Sequence, residues 1–243
     1  MKRLSHFFCI VIFILLFCGN SWANFYVIAG GGKMAGTEIK SLPYEITKRG
    51  FYYITKNLVV LNSHGITVST SHVTIDLMGF TISSLPTIGS NYNGIFLQNF
   101  SNIEIRNGSI VGFPGYGIRG VEGKIQKIIN ITSTGNKASG ISLESDNCRV
   151  VNCTAANNGN RGIYTWSGSI INGNICFENT GDGIALSGDG SIIGNISNSN
   201  GGYGIYLSGT AVVDQNISRA NTKDNFYSLV SGEVYGLNYP TTP

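Results

Sequence analysis

Gly183-Ile184-Ala185-Leu186 returns 21 residues later as Gly204-Ile205-Tyr206-Leu207. The copies of the Gly-Ile pair are Gly65-Ile66, Gly94-Ile95, Gly117-Ile118, Gly140-Ile141, Gly162-Ile163, Gly183-Ile184 and Gly204-Ile205, spaced by 29, 23, 23, 22, 21 and 21 residues. A further step of 21 reaches Asn225-Phe226, the same slot with Asn for Gly. Two positions after each first apolar residue stand Val68, Leu97, Gly120, Leu143, Thr165, Leu186, Leu207 and Ser228. A near-constant period of this length marks stacked supersecondary units, each burying its apolar side against the next.

Between anchors comes a second β-branched stretch, as in Val73-Thr-Ile-Asp-Leu77, Ile103-Glu-Ile105 and Ile192-Ile193. A third short apolar touch follows at Ile82, Ile110, Ile131, Ile175, Ile196 and Ile217. About 22 residues at roughly 3.3 Å each trace a perimeter of about 70 Å, room for three short strands and three turns. Asn136, Asn158, Asn179, Asn200 and Asn221 each precede the next anchor by four residues, and Asn174, Asn195 and Asn216 form a second file. Asn tolerates left-handed backbone and bonds its own turn, and stacked amides bond along the stack, so ladders at the corners are expected rather than sugar-binding amides. A leucine-rich repeat has an overlapping period but needs a Leu frame and a helical turn per unit, and neither is present.

Lys2 and Arg3, an apolar run over residues 7–17 and Ser21-Trp22-Ala23 read as a signal peptide ending at 23, too short to span a membrane and directing export to the periplasm or beyond. Residues 24–61 read as an entry segment and cap, 62–230 as the repeats, and 231–243 as a C-terminal cap. Beyond the signal, 14 basic residues face 13 acids. This near-neutral balance excludes an electrostatic case for nucleic acid. Cys148, Cys153 and Cys176 fit no zinc spacing and read as small buried hydrophobes, a Cys153–Cys176 disulfide being two residues out of register. Six Asn-x-Ser/Thr triplets arise from the repeat itself.

The Gly-Ile-x-Leu anchors and the Asn195-Ile-Ser197 and Asn216-Ile-Ser218 turns resemble the right-handed parallel β-helix proteins of the pectin-lyase-like superfamily. The opening half, Ile46-Thr-Lys-Arg-Gly-Phe-Tyr-Tyr-Ile-Thr55, Gly65-Ile-Thr-Val68 and Val73-Thr-Ile-Asp-Leu-Met-Gly-Phe-Thr-Ile82, resembles exported bacterial β-helix proteins with no assigned reaction. The resemblance covers residues 38–230. It implies an all-β chain, a single-stranded right-handed parallel β-helix of about eight coils. The superfamily includes polysaccharide lyases, glycoside hydrolases and epimerases, so the resemblance specifies the fold and leaves the activity open.

With the anchor residues at +1 and +3 inside, positions +2 and +4 face out. The +2 file reads Thr67, Phe96, Arg119, Ser142, Tyr164, Ala185, Tyr206 and Tyr227, and the +4 file includes Glu144 and Trp166. Residues just before the anchors, among them His64, Arg161, Asp182 and Tyr203, form a rim. Phe96, Tyr164, Trp166, Tyr206 and Tyr227 thus stand on one outward face, where polar residues are the ordinary expectation. Coils about 4.8 Å apart match the step of successive sugars in an extended chain, so the rings read either as a polysaccharide platform or as a stack that stabilises the sheet. A hydrolase would draw on Glu144 and Asp182 as acid and base, whereas a lyase or epimerase acting on uronate glycans would use Glu144 with Arg119 and Arg161 to stabilise the enolate. The hydrolase Asp and His motifs, the lyase Lys/Arg clusters and a calcium-binding acid cluster are absent, and no cofactor or metal is expected. The leading reading is a polysaccharide-binding module without strong catalysis. The alternatives are a lyase or epimerase and a structural or adhesive envelope protein.

Overall fold

A computed structural model describes residues 36–85, 91–231 and 234–239. The expected signal peptide, the start of the entry segment at 24–35 and the last four residues lie outside the described residues. Twenty-five short strands and no helix occur among the described residues, and every ladder is parallel. They wind into a parallel β-solenoid of about eight turns.

Each turn contributes to three ladders. The first sheet contains the anchors, nine strands from Tyr44–Ile46 through Ile66–Val68 to Phe226–Ser228, with the anchor positions in register and one shift between Val121 and Lys124. The second ladder runs from Thr37–Glu38 through Gly50–Tyr53 and Val73–Asp76 to Val234–Tyr235. The third runs from Leu58–Val60 and Thr81–Ser84 to Ile217–Arg219. The second and third join into one 16-stranded sheet because Ile103–Val111 and Gln126–Thr134 continue through the corner between them. The tail adds to the stack: Val234 pairs with Val212, and Tyr239 bridges to Ile217.

Anchor side chains fill the interior. Ile66, Ile95, Ile118, Ile141, Ile163, Ile184 and Ile205 are fully buried, as are Leu97, Leu143 and Leu186. At Gly120, where the pattern lacks a side chain, the buried amide of Gln126 occupies the space a Cβ would take.

Two buried amide ladders brace the corners. In Asn136, Asn158, Asn179, Asn200 and Asn221 each side-chain amide donates to the next Oδ1 at 2.9–3.0 Å, and each backbone N–H donates to the same oxygen at 3.0–3.1 Å. Asn174, Asn195 and Asn216 do likewise, and Asn238 of the tail extends this file. One part of the expectation needs correction. The left-handed residue is not the ladder Asn but the residue before it: Gly135, Asn157, Glu178, Ser199 and Ala220 have φ of 67°, 54°, 54°, 54° and 53°. That residue turns the corner, and so aims the following Asn inward.

The third apolar touch also mixes two registers. Ile82, Ile110 and Ile131 are buried, but Ile175 and Ile217 are 41% and 36% exposed. With Asn174 and Asn216 inside, strand alternation puts the next residue outside and the one after it inside. The inward file is therefore Ile82, Ile110, Ser133, Ala155, Cys176, Ser197 and Ser218.

Cys148, Cys153 and Cys176 are free and buried, Cys176 pairing with Ala155 rather than Cys153. Burial pushes the Cys148 and Cys153 thiols up to about 12, and Cys176 higher still. Thiolate is the reactive form. All three should therefore resist iodoacetamide in the native protein at mildly alkaline pH and label on unfolding, as read by mass spectrometry; labelling of any of the three in the folded protein would contradict this packing.

Candidate functional site

The outward file of the first sheet is continuous across all nine strands: Glu45, Thr67, Phe96, Arg119, Ser142, Tyr164, Ala185, Tyr206 and Tyr227 are successive register partners. Glu45 is a member that reading from the anchors missed, since no Gly-Ile pair precedes it. Ser142 and Ala185 are buried despite facing out. Each is a small side chain between larger register neighbours.

The aromatic residues form two groups. In the first, His64 stacks on Phe96 at 5.1 Å and meets Tyr92 edge-on at 5.5 Å. The Asn93 N–H donates to His64 Nδ1 at 2.9 Å, and burial lowers the imidazole pKa, so the ring is neutral with its proton on Nε2. In the second group Tyr203 stacks on Tyr227 at 4.4 Å, Tyr206 lies 5.9 Å from Tyr227, and Lys223 sits 4.8 Å from the Tyr203 ring centre. Lys223 is a member of this group that the outward files and the rim do not include. Tyr203 is a rim residue, and Lys223 is two residues before the last anchor slot.

Tyr164 makes polar contacts of its own on the same face. The Trp166 indole N–H donates to the Tyr164 hydroxyl at 3.0 Å, the Tyr164 hydroxyl reaches Ser187 Oγ at 3.3 Å, and Ser208 Oγ reaches Ser187 Oγ at 3.1 Å. Asp146, Tyr164, Trp166, Ser167 and Ser187 line an open depression there. The Arg161 guanidinium lies 4.7 Å from the Tyr164 ring centre, a cation–π contact, while its Nε donates to Asp182 Oδ2 at 3.1 Å.

The four candidate catalytic residues divide into two ion pairs. Arg119 Nη2 is 3.6 Å from Glu144 Oε1, with the Arg119 guanidinium over Tyr116 at 4.7 Å. Asp182 is engaged at both oxygens, by Arg161 and by the Tyr203 N–H at 2.9 Å. A general base needs a free lone pair aimed at the proton it removes. Each Asp182 oxygen already accepts one bond, and Glu144 faces Arg119 through one oxygen, so each carboxylate is held beside a cation. No group of three His, Cys, Asp or Glu suited to a metal ion occurs among the described residues.

Residues 45–195 match the family described as "Right handed beta helix region". The chain belongs to the right-handed β-helix family. Solved structures similar to this β-helix protein include the pectate lyase Pel9A, with a TM-score of 0.62 and 14% identity over 76% of this chain. The A-module of mannuronan C-5 epimerase AlgE4 from Azotobacter vinelandii gives 0.60 and 14% over 78%. The periplasmic alginate epimerase AlgG gives 0.53 and 19% over 71%. The chain spans 63%, 68% and 55% of those three proteins. At such identities the likeness shows the shared pectin-lyase-like architecture. A search of curated protein sequences returns no match.

Proposed function

We propose that this β-helix protein binds an extended polysaccharide across the outward face of its first sheet, without strong catalysis. The supporting observation is the register file Tyr164–Ala185–Tyr206–Tyr227, which sets three rings along one line, those of Tyr206 and Tyr227 on adjacent coils, with Arg161 and Lys223 over rings of the same face. Rings give sequence-tolerant contact with the C–H faces of sugars, and the cations favour a chain with carboxylates. The similar structures whose names include pectate lyase and alginate epimerase are consistent with a polysaccharide ligand of this kind. The same names favour a second reading, a lyase or epimerase using the Arg119–Glu144 pair.

Affinity electrophoresis through gels containing alginate, pectate or a neutral glucan separates the readings. Retardation is expected in at least one acidic gel. Trp166→Ala with Tyr206→Ala should weaken it about a hundredfold, near 2.7 kcal/mol. Unchanged retention in the double variant would refute the platform. Unsaturated products from pectate or alginate, abolished by Glu144→Ala, would favour the enzyme.

A further inference from the structure

The second sheet has an outward face of its own, and it carries a different chemistry. One file reads Phe51, Thr74, Glu104, Lys127 and Arg149 on successive coils. Beside it run Tyr53, Asp76 and Arg106. Phe51 and Tyr53 are stacked at 5.9 Å, and the Arg106 guanidinium lies 5.9 Å from the Phe51 ring centre. Arg106 is fixed by Asp76 at 2.8 Å and by Glu104 at 3.0 Å. Asp76 also accepts from the Met78 N–H and the Asn107 amide. Both carboxylates pair with Arg106, Glu104 through Oε1 alone, and Lys127 and Arg149 make no ion pair among the described residues. Like charges directly opposite on neighbouring strands are destabilising, and an anion between them would offset that cost.

A cleft of about 140 Å³ opens at this file, lined by Thr74, Asn102, Glu104, Ile125 and Lys127. That is room for about five water molecules, the scale of one ring rather than of a chain. Ile125 is the unusual member. Its φ is 57°, as in Asn102 and Asn147, which take the same turn on the adjoining coils. Asn tolerates that conformation, whereas a β-branched side chain is strained in it. Ile125 is also 43% exposed, so core packing does not explain it. Local strain of this kind persists where the side chain serves a site.

We infer that this cleft binds a single saccharide unit bearing an anionic group. The C–H face of the sugar lies against Ile125, its hydroxyls meet Thr74, Asn102 and Glu104, and its anion sits by Lys127 and Arg149. The site is separate from the first-sheet platform.

Calorimetric titration of the full chain with glucuronate, glucose 6-phosphate, glucose and inorganic phosphate tests this. At least one anionic sugar should bind, about tenfold or more tighter than glucose and than phosphate; which of the two binds identifies carboxylate or phosphate as the anion. Lys127→Ala should weaken binding about tenfold. Ile125→Asn should weaken binding while raising the unfolding midpoint, a combination that a purely structural residue would not give. The Trp166→Ala, Tyr206→Ala variant should bind the sugar as the parent does. The inference is overturned by no sugar binding, by glucose binding as tightly, or by phosphate binding as tightly, which marks an ion site only. It is equally overturned if Ile125→Asn leaves affinity unchanged, or if the first-sheet variant abolishes binding.

Discussion

Replacing Asn179 by leucine or aspartate should destabilise the protein by about 3–5 kcal/mol, with aspartate worse at neutral pH. Asn179 is 1% exposed and its amide is fully used. Oδ1 accepts from the Asn158 backbone at 3.1 Å and from its side chain at 2.9 Å, while Nδ2 donates to Ala155 O at 2.9 Å and to Asn200 Oδ1 at 3.0 Å. Leucine matches the size but leaves buried donors and acceptors unpaired. Aspartate keeps the accepting oxygen but turns its other oxygen toward two acceptors, and it buries a charge. Burial and those acceptors would raise the folded-state pKa of that carboxyl above its unfolded value. Its penalty is then full above the folded pKa and shrinks as pH falls toward the unfolded pKa, so acid should narrow the gap between the two variants. Urea unfolding at neutral and acid pH reads both effects. If either variant stays within about 0.5 kcal/mol of the parent, the ladder is not holding the corner.

The fold was legible because its period is written in residues that only a stack requires. The seven Gly-Ile anchors and the Asn225-Phe226 slot mark all but the first of the nine first-sheet strands, and the Asn spacing marks both ladders. What escaped was the offset inside a coil. Cys153 and Asn174 occupy one file and Cys176 the next, yet spacing alone does not say that Ile175 between them faces water. A left-handed residue such as Asn152 before Cys153 sets that phase, and Glu178, Ser199 and Ala220 take the same conformation without the usual Gly or Asn signal. For the candidate site, alternation placed Phe96, Tyr164, Tyr206 and Tyr227 on one face. It could not show that Arg119 and Arg161 would each bind a carboxylate, because register partners are visible in a repeat while side-chain rotamers are not. The second-sheet cleft was missed for another reason. Its strands lack a fixed marker like Gly-Ile, so Glu104, Lys127 and Arg149 do not line up by eye.

Gly183→Ala should cost about 3 kcal/mol or more, although it adds one methyl group. Gly183 does not have the left-handed φ that would require glycine, so the cost is steric. A Cβ there would stand 2.9 Å from the carbonyl oxygen of Gly204 on the next coil, 2.6 Å from Asn200 Nδ2, and closer still to Ser197 Oγ. Relief would have to come from the backbone stack, from the amide ladder, or from the hydroxyl that donates to Gly204 O at 2.7 Å. The entropy that alanine removes from the unfolded chain, about 0.4–1 kcal/mol, is too small to offset this. The same approach recurs along the file: a Cβ on Gly65, Gly94, Gly117 or Gly162 would meet the carbonyl of the next anchor Gly at 2.5–2.6 Å. It also accounts for the exception. Asn225 fills the slot on the last first-sheet strand, Phe226–Ser228, and among the described residues no further strand stacks beyond it. Asn225→Ala should therefore cost under about 1 kcal/mol, mainly the bond its Oδ1 accepts from Asn221 at 3.0 Å. Chemical unfolding of the two variants side by side decides the matter: equal losses would mean that the recurring glycine answers to something other than the coil above it.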